Sequence, residues 1–500
     1  MNNQIKRNIK FGTDGWRAII ADEFTFENLS IVINAIGNYL KNKNLEKNGI
    51  FIGYDNRFLS EEFAKYSAKL LEKRGLKIFL SDTSVPTPLT AFMAVDMNLD
   101  GAIMITASHN PPIYNGIKFI PSYGGPADDS ITKEIEINIK YLSESGFKKL
   151  SILGIETVKY KNTNNSEGNL KIISEFKSYK ELLLKSINKN LISEVKPKVA
   201  VDTMFGAGSK IFPEILIDDL KLEPKVFNNW RDTLFGGKLP DPSKNNLKEL
   251  RDFVLKNKYD MGIALDGDAD RFGIIDGKGV FINPNNVISL ILYYLVKSKR
   301  FNTGEKAVRT VATTHLIDEI CFDNSLGVLE TPVGFKYICR EMLKGNVIIG
   351  GEESGGLSIK GHIPEKDGLL AGLILIEIQS YLKKINTNTY LSDYLNKIYD
   401  EFGVFYNTRL DIEIPEEKKD EVIKYFYKPK SKNILNIKIT DIIDRDGAKV
   451  ILENKSWILV RPSGTEPLIR CYIESTDKNC FEKMQNYVKS KINELKNQIK

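Results

Sequence analysis

The chain has 500 residues, of which 42% are hydrophobic and 27% are charged. These proportions are ordinary for a globular protein, and the length exceeds what one hydrophobic core supports, so we expect three or four domains. The 71 basic and 65 acidic residues nearly balance, and the lysine-rich stretches at 41–47 and 483–500 also contain Asn, Gln or Glu. This distribution of charge argues against a nucleic-acid partner.

The cysteines and the apolar segments indicate in which cellular compartment the protein is expected. The four cysteines have neither metal-binding spacing nor histidine neighbours, which argues against a zinc site and a disulfide framework. No apolar run follows the basic residues near the N-terminus, and the most apolar stretches are too short to span a bilayer. We therefore expect a cytoplasmic protein with no membrane partner. These features do not determine the oligomeric state, and a monomer and a homodimer are both left open.

Short apolar runs rich in β-branched residues alternate with longer amphipathic segments, a pattern typical of α/β domains. Several of these runs are predicted strands that end in acidic or glycine-rich turns, where open α/β sheets bind their ligands. These predicted strands lie at 49–55, 102–105, 198–202, 261–266 and 346–352. The polar stretch 148–196 is predicted to be a domain connection that contains a helix. The C-terminal segment, with predicted strands at 433–441 and 457–461 and a terminal helix, is predicted to be an α+β module.

The first two chemical motifs in chain order suggest phosphate binding and a nucleophile. The sequence FGTDGWR at 11–17 is a glycine-rich loop whose Arg17 is suited to bind phosphate. In TASHNP at 106–111, a predicted strand leads to Ser108 on a loop that the following prolines keep out of a helix. An exposed serine held in this way can act as a nucleophile. Lys118, on the predicted return of the chain, can share its site.

A serine-hydrolase interpretation of Ser108 is disfavoured. The G-x-S-x-G elbow of such enzymes is absent around this serine. The adjacent His109 is also expected to point away from Ser108, because neighbouring side chains diverge on an extended chain.

The third motif is DGDADR at 266–271, in which three aspartates alternate along a turn. Carboxylates with this spacing can converge on one hard cation, and three of them with a phosphate oxygen suit Mg²⁺. A calcium-binding EF-hand loop is excluded, because the sixth position is Arg271 and the twelfth is Gly277. A plain acidic surface turn is disfavoured, because carboxylates this close repel one another.

Two further loops complete the set. GEESGG at 351–356, with PEKDG at 364–368, offers carboxylate and hydroxyl partners for sugar hydroxyls, and RPSGTEP at 461–467 with Arg470 is suited to hold a phosphate dianion. Neither a Walker A sequence nor a dinucleotide fingerprint occurs, which disfavours an ATP-dependent kinase on a P-loop. The combination predicts phosphoryl transfer without a nucleotide.

These five motifs, in this order, resemble those of the α-D-phosphohexomutase superfamily over nearly the whole chain. The resemblance implies an α/β fold of four domains around a central active-site cleft, three of them similar mixed α/β sheet domains and the last an α+β domain. The expected boundaries are 1–150 for the phosphoserine loop, 165–283 for the metal loop, 284–392 for the sugar-binding loop and 400–500 for phosphate binding.

The resemblance also implies a reaction and the residues that carry it. Ser108 would be a phosphoserine, one Mg²⁺ per active site would be bound by that phosphate and the three aspartates, and glucose 1,6-bisphosphate would be both intermediate and activator. Charge neutralisation and proton transfer would then fall to the catalytic residues Arg17, Lys118, Lys366 and His109, beside the metal ligands Ser108, Asp266, Asp268 and Asp270. The substrate-binding residues would be Arg271, Lys336, Glu352, Ser354, Arg461, Ser463, Gly464, Thr465 and Arg470.

The sugar is a separate question. Members of the superfamily that act on mannose or glucosamine phosphates commonly have His at the end of the sugar loop, where this chain has Gly356. With its EKDG partner the loop is more similar to that of glucose-preferring members, which favours a phosphoglucomutase. A phosphomannomutase or dual-specificity enzyme remains the alternative, and a phosphoglucosamine mutase is disfavoured. His315 is interpreted as structural, and the role of His362 is left open.

Two other classes of protein are weighed against a mutase. A catalytically silent mutase-like binding protein is disfavoured because the nucleophile and all metal ligands are present. A sugar-phosphate phosphatase is disfavoured because it would not need the second phosphate loop between Arg461 and Arg470.

Overall fold

The computed structural model describes residues 9–12, 15–144, 168–463 and 467–498. The chain divides into two compact units, which are described separately here. The first unit comprises the chain up to Pro284 with 342–345 and 354–392, and the second comprises 285–341, 346–353 and the chain from Asp393 onwards. Within the described ranges no helix is long and apolar enough to cross a membrane.

The secondary structure of the described residues is numbered here in chain order. The strands are β1 (Trp16–Ile19), β2 (Ile50–Tyr54), β3 (Ile78–Ser81), β4 (Gly101–Ile105), β5 (Tyr114–Pro121), β6 (Leu170–Ile173), β7 (Val199–Asp202), β8 (Lys225–Phe227), β9 (Met261–Leu265), β10 (Phe272–Asp276), β11 (Phe281–Ile282), β12 (Lys306–Thr310), β13 (Gly327–Thr331), β14 (Val347–Glu352), β15 (Gly356–Ile359), β16 (Tyr406–Glu413), β17 (Asn433–Ile434), β18 (Ile437–Ile443), β19 (Ala448–Leu452), β20 (Trp457–Pro462) and β21 (Leu468–Ser475). The helices are α1 (Phe26–Asn42), α2 (Ser60–Glu72), α3 (Thr87–Asp96), α4 (Asp129–Glu144), α5 (Lys177–Lys185), α6 (Lys189–Val195), α7 (Ile211–Glu214), α8 (Lys248–Asn257), α9 (Pro284–Lys297), α10 (Leu316–Asp323), α11 (Phe335–Leu343), α12 (Gly368–Ile385), α13 (Leu391–Phe402), α14 (Lys419–Tyr427) and α15 (Lys478–Gln498).

The first unit begins with a mixed sheet in the order β1-β5-β4-β2-β3-β6. β4, β2, β3 and β6 run parallel, whereas β5 is antiparallel to both of its neighbours. Every residue of β2 and β4 is buried, as expected for strands covered on both faces. The Thr25 hydroxyl caps α1 by accepting the N–H of Asn28, and the buried face of this helix completes the core.

The first unit contains a second sheet in the order β11-β10-β9-β7-β8, in which β9 pairs parallel with β7 and antiparallel with β10. α12 packs on β9 and β10 and is buried along most of its length. Asp367 caps α12, because its carboxylate accepts the N–H groups of Leu369 and Leu370. The turns after β4 and β9 carry the serine and aspartate motifs.

The second unit contains a parallel arrangement of β13, β12 and β14 and an antiparallel sheet in the order β16-β21-β20-β19-β18-β17. α14 and α15 pack on the antiparallel sheet, and their apolar residues join its hydrophobic core. The C-terminal residues therefore have a core of their own, as predicted for an α+β module.

Most of the predicted strands are confirmed, with two corrections. Predicted strand 433–441 is wrong as a single strand, because Leu435 and Asn436 have φ of 52° and 65° and turn the chain between β17 and β18. Positive φ at both central residues is typical of a type I′ hairpin turn. The predicted connection 148–196 contains β6, which extends the first sheet, and the helices α5 and α6. Residues 145–167 of that connection lie outside the described residues.

Candidate active site

Ser108 lies just beyond β4, on the loop that returns into β5. The prediction that this serine is exposed is wrong, because the structure buries it beside the aspartates and leaves it 1% exposed. Its φ is 52°, a left-handed conformation that is uncommon for a residue with a Cβ. Its N–H donates to the Thr106 hydroxyl at 2.9 Å, and its own hydroxyl donates to Asp266 Oδ2 at 3.2 Å. The loop thus brings the predicted nucleophile to the predicted metal ligands.

His109 does not point away from Ser108, so that part of the prediction is wrong. Its Nδ1 lies 3.3 Å from Ser108 Oγ, because the left-handed Ser108 takes the chain out of the extended geometry on which the prediction depended. The nearby Arg271 cation, burial and Arg17 hold the pKa of His109 well below its usual value. A neutral imidazole in this position can accept or donate a hydrogen bond, depending on which ring nitrogen carries the proton.

The three aspartates of the third motif lie in the turn between β9 and β10. Asp266, Asp268 and Asp270 are at most 1% exposed, and each contributes an oxygen to a group in which all such atoms lie within 4.8 Å of one another. The Arg271 N–H donates to Asp266 Oδ1 at 3.0 Å and shapes the turn. This geometry confirms that the spacing brings the three carboxylates together.

The charges of this acidic group are unevenly compensated. Burial and the two neighbouring carboxylates raise the pKa of Asp266 well above its usual value. Burial also opposes ionisation of Asp268, but Lys118 and the Thr87 hydroxyl hold the pKa of Asp268 below its usual value. Burial and Asp268 likewise oppose ionisation of Asp270, yet the nearby lysines lower the pKa of Asp270. A bound cation would relieve the repulsion that falls mainly on Asp266.

The carboxylate oxygens fit a divalent metal ion. Asp268 Oδ1 and Asp270 Oδ1 are buried and accept no hydrogen bond from the residues that the structure describes, which is costly for a carboxylate unless another ligand is present. Oxygen donors grouped in this way are the ligands that Mg²⁺ and Ca²⁺ prefer. Asp266, Asp268 and Asp270 are therefore the residues that would hold the expected magnesium ion.

Two lysines contact the acidic group. Lys118, on β5, places Nζ 3.1 Å from Asp268 Oδ2 and 3.3 Å from Asp270 Oδ2. Lys366, on the loop before α12, places Nζ 3.2 Å from Asp270 Oδ2. Both lysines are at most 5% exposed, so their ammonium groups face the carboxylates and not bulk solvent. The structure thus brings both predicted proton carriers to one centre.

Lys366 occupies the space in front of Gly356. A Cβ on Gly356 would lie 2.3 Å from Lys366 Cδ and 2.6 Å from Lys366 Cγ, far inside van der Waals contact. Position 356, where a histidine is expected for a mannose- or glucosamine-specific enzyme, is therefore closed to a side chain here as long as Lys366 reaches Asp270.

The two predicted arginines lie at the same centre. Arg17, on β1, donates from Nη1 to Asn110 Oδ1 at 3.0 Å, and Arg271 Nε lies 3.8 Å from Asp270 Oδ1. Both are close enough to the imidazole of His109 to lower its pKa. Positive charge is thus concentrated around the serine and the aspartates.

His362 has a partner that the sequence did not indicate. Its Nε2 lies 2.8 Å from Asp367 Oδ2, and the Tyr179 hydroxyl donates to the same oxygen at 2.6 Å. The His362 and Asp367 side chains are fully buried. This network supports the cap of α12 next to Lys366, which is a structural role.

Sequence reasoning missed two residues of the centre. The Thr87 hydroxyl donates to Asp268 Oδ2 at 2.7 Å, and the guanidinium of Arg57 donates to backbone oxygens of the Ser108 loop. Arg57 follows the acidic turn after the predicted strand 49–55, so a charged residue after a buried strand was the available signal. Thr87 gave no such signal, because it opens a helix whose first residues are otherwise apolar.

The predicted residues of the phosphate loop lie in the second unit. Arg461 and Arg470 face each other across β20 and β21, and Arg461 Nη2 lies 3.2 Å from Asp446 Oδ2. The Ser463 N–H donates to the Leu468 carbonyl at 3.0 Å. The predicted Gly464 and Thr465 lie outside the described residues.

The predicted sugar-binding residues are divided between the units. Glu352, at the end of β14, and Lys336, on α11, belong to the second unit and are each 7% exposed. Ser354 belongs to the first unit and is half-buried. His315 lies in the second unit, where its Nε2 is 3.0 Å from Lys449 Nζ.

Comparison with known proteins gives matches along most of the chain. Models described as phosphoglucomutase/phosphomannomutase match at residues 8–145 (α/β/α domain I), 177–279 (domain II), 283–402 (domain III) and 412–490 (C-terminal domain). A phosphoglucomutase/phosphomannomutase of Thermococcus kodakarensis is 30% identical over 98% of this chain and 99% of its own length. The phosphoglucosamine mutase of Methanocaldococcus jannaschii is 32% identical over 81% of this chain and 83% of its own length. A crystal structure from Thermus thermophilus, named as that of a phosphomannomutase, superimposes with a TM-score of 0.80 at 29% identity, covering 97% of this chain and 99% of that one.

Proposed function

The chain belongs to the phosphoglucomutase/phosphomannomutase family and is a phosphohexomutase, and on that premise we propose that it interconverts α-D-glucose 1-phosphate and D-glucose 6-phosphate through a phosphoserine at Ser108. The observation that carries the proposed reaction is the 3.2 Å hydrogen bond from Ser108 Oγ to the buried acidic group. A phosphoryl group on this oxygen would lie beside the aspartates, two lysines and two arginines. Phosphoryl transfer depends mainly on such positioning and charge neutralisation.

The proposed transfer moves one phosphoryl group and one proton in each direction. The bond between Ser108 Oγ and phosphorus breaks as a sugar hydroxyl forms its own bond to phosphorus, giving glucose 1,6-bisphosphate. Lys118 or Lys366, whose Nζ atoms lie beside Asp270, would accept the proton of that hydroxyl in its neutral amine form, and a proton would be returned to Ser108 Oγ as its bond to phosphorus breaks. The bisphosphate then returns its other phosphoryl group to Ser108. Bound Mg²⁺, held by the three aspartates and the serine phosphate, would neutralise the phosphoryl oxygens.

The remaining predicted residues receive binding roles in this proposal. Arg17 and Arg271 would bind the phosphoryl group in transfer, and His109, whose Nδ1 lies 3.3 Å from Ser108 Oγ, would help to position that group. Glu352 and Ser354 would bind sugar hydroxyls near Lys336. The phosphate that does not react would be held by Arg461, Ser463, Gly464, Thr465 and Arg470.

The preference for glucose is supported by the pair of Gly356 and Lys366. A histidine at position 356, expected in mannose- and glucosamine-specific sequences, could not coexist with Lys366 in its present position, because a Cβ there would lie 2.3 Å from the lysine. Mannose 1-phosphate and glucosamine 1-phosphate are the competing substrates, because relatives of similar identity are named for them. In this proposal, the residue at position 356 and the neighbouring Lys366 decide which sugar phosphate is preferred.

A coupled assay with Mg²⁺ and a trace of glucose 1,6-bisphosphate tests this proposal. It compares kcat/KM for glucose 1-phosphate, mannose 1-phosphate and glucosamine 1-phosphate, with Ser108→Ala as the background control. We expect glucose 1-phosphate to be preferred by about a hundredfold, the size of discrimination that a few polar contacts can supply. Equal rates for glucose and mannose would make this a dual-specificity enzyme, and a preference for glucosamine would overturn the assignment of the sugar.

A further inference from the structure

Arg57 is buried behind the loop that carries Ser108. It follows β2 and precedes α2, and none of its surface is exposed. Its Nη2 donates to the carbonyl oxygens of Ser108 at 2.7 Å and Asn110 at 2.6 Å. Its Nη1 donates to those of Pro111 at 2.8 Å and Tyr114 at 3.0 Å. One guanidinium thus holds four carbonyls on both sides of the turn.

The remaining surroundings of Arg57 fix the guanidinium itself. Its Nε lies 3.3 Å from Asp55 Oδ2, and its plane lies over the Phe235 ring, 5.0 Å from the centroid. The Asp55 carboxylate is held in turn by the Arg57 N–H and the Ser60 hydroxyl. Because its terminal nitrogens already donate to backbone oxygens and the side chain is fully buried, Arg57 is not placed to bind a substrate phosphate.

The loop that Arg57 holds is strained and tightly enclosed. Ser108 has φ of 52°, and such a conformation persists in a residue with a Cβ when the surroundings impose it. The Ser108 carbonyl, bonded to Arg57 on one side, is approached by Gly267 on the other, where a Cβ would lie 2.5 Å from the oxygen. The serine backbone is therefore confined between Arg57 and the turn of the metal-binding aspartates.

The neighbouring Asn56 extends this support to the second sheet. Its amide nitrogen donates to the carbonyls of Phe205 at 2.7 Å and Gly206 at 2.9 Å. That segment contacts the aspartate turn, because the Ala207 N–H donates to the Gly267 carbonyl at 2.9 Å. The consecutive side chains of Asn56 and Arg57 thus bind two segments at once: the serine loop, and a segment that is hydrogen-bonded to the aspartate turn.

We propose that Arg57 is a positioning residue, which fixes the backbone of residues 108–114 so that Ser108 Oγ stays in register with the acidic group. This role rests on the proposed function, because it concerns transfer to and from Ser108. It predicts a specific kinetic effect: loss of Arg57 slows every step at Ser108 and leaves substrate affinity nearly unchanged, because the arginine does not contact substrate.

The test compares Arg57→Ala and Arg57→Lys with Arg74→Ala as a matched control. Arg74 is another forked arginine of the first unit, but it donates to Asn34 and Asn38 at 2.9 and 2.7 Å, outside the active site. For each variant one measures thermal unfolding, kcat, KM and, by mass spectrometry, the rate at which glucose 1,6-bisphosphate phosphorylates Ser108. Activity of Arg57→Ala is also measured with millimolar guanidinium chloride against equal sodium chloride.

We expect kcat and the phosphorylation rate of Arg57→Ala to fall by about a hundredfold, since misplacement of a reacting atom by about 1 Å has an effect of this size. KM should change by less than about threefold, and guanidinium should restore at least about tenfold of the lost kcat by refilling the cavity with the same donors. Arg57→Lys keeps the positive charge but not the planar guanidinium, so its kcat should also fall. Arg74→Ala should lower the melting temperature without changing kcat or responding to guanidinium.

Several results would overturn the role. A folded Arg57→Ala with wild-type kcat would do so, and so would a raised KM at unchanged kcat, which would make Arg57 a substrate ligand. If Arg57→Ala does not fold, Arg57→Lys decides, and wild-type kcat in that variant contradicts the proposal. Failure of the wild-type protein to be phosphorylated at Ser108 would overturn the proposed function and this role together.

Discussion

Two clusters of charged residues in this protein differ in how their carboxylates are paired. Around Asp266, Asp268 and Asp270, three carboxylates lie together, and two of their buried oxygens accept no hydrogen bond. In the second unit, Arg309 forms a bidentate pair with Asp318 at 2.6 and 2.7 Å and donates to Glu330 at 2.7 Å. There Lys449 completes the set by donating to the same Glu330 oxygen at 2.7 Å.

This difference distinguishes a charge cluster that stabilises the fold from one that is arranged to bind a ligand. The second cluster balances two cations against two anions and uses their hydrogen-bonding capacity internally, as a structural network must to offset desolvation. The first leaves like charges adjacent and acceptors unused, an arrangement that destabilises a protein unless a ligand binds there. The three aspartates are at most 1% exposed, whereas the Asp318 side chain is 36% exposed and that of Glu330 15%. The clusters therefore differ both in burial and in the buried carboxylate oxygens that accept no hydrogen bond from the described residues.

The largest expected effect comes from removing the nucleophile of the first cluster. Ser108→Ala should lower kcat by roughly ten-thousandfold or more, because it removes the oxygen proposed to carry the phosphoryl group, while the melting temperature stays near that of the wild type. Steady-state kinetics and thermal unfolding check this. The control is Ser67→Ala, which removes a buried hydroxyl that only donates to the Phe63 carbonyl. Activity within about tenfold of the wild type would refute the phosphoserine.

Exchanging one carboxylate in each cluster tests the comparison directly. Asp266→Asn should abolish the response of activity to added Mg²⁺, with a loss of about a thousandfold. It should leave the free energy of unfolding unchanged or raised, because burial and the neighbouring carboxylates raise the pKa of Asp266 in the folded protein. Glu330→Gln should keep the Mg²⁺ response but lower the free energy of unfolding by about 3 kcal/mol, because it leaves the buried Lys449 and Arg309 with less negative charge beside them.

Activity titrations against Mg²⁺ and denaturant unfolding distinguish the two carboxylate variants. The folded Glu330→Gln protein is expected to keep wild-type kcat. If Asp266→Asn instead unfolded the protein and kept its Mg²⁺ dependence, the two clusters would not differ as described.

The sequence predicted the strands and motifs of this centre more fully than the tertiary contacts between them. Local patterns located β4, β9 and the turns that follow them, because buried strands with polar ends have distinct composition and spacing. The role of Arg57 could not be predicted, because its partners are backbone oxygens more than fifty residues away along the chain. The proximity of His109 was missed because it depends on one positive φ at Ser108.

The same limit applies to the fold as a whole. The α/β class followed from alternating periodicity, whereas β6 was missed because a short, half-exposed edge strand has no strong apolar pattern. The hairpin between β17 and β18 was read as one strand, because Leu435 and Asn436 do not include the glycine that usually marks such a turn. The unused oxygens of Asp268 and Asp270 depend on tertiary packing, which spacing cannot supply.

Gly356→His tests the proposed exclusion between position 356 and Lys366. The new side chain should displace Lys366 from Asp270 and lower kcat for glucose 1-phosphate by about a hundredfold with a smaller change in KM. The control is the same substitution in a Lys366→Ala background, where the lysine chain no longer occupies the space. We expect the two losses to be strongly non-additive in this cycle. Additive losses would mean that Gly356 and Lys366 act independently.

The smallest expected effect concerns pH and the second cluster. Burial and Arg309 lower the pKa of Lys449 from 10.5 to about 8 although Glu330 and His315 lie beside it. Between these values the unfolded chain binds more protons than the folded one, so the free energy of unfolding should rise as pH increases from about 8 to about 10.5. The gain is at most about 3 kcal/mol relative to Lys449→Met, which cannot titrate there.

Denaturant unfolding of the wild type and Lys449→Met at both ends of this pH range measures the effect. A wild-type stability that falls relative to Lys449→Met as pH rises would show that the folded protein favours charged Lys449, and would contradict the stated direction.

The most direct test of the central claim is a single-turnover transfer experiment. The protein is first phosphorylated with glucose 1,6-bisphosphate labelled in its phosphate groups, freed of excess reagent, and mixed with unlabelled glucose 1-phosphate and Mg²⁺. We predict that the label is located on Ser108 before mixing and appears in glucose phosphates after mixing, with none transferred in Ser108→Ala. Label that resides on another residue, or that is released only as inorganic phosphate, would contradict a phosphoserine mutase.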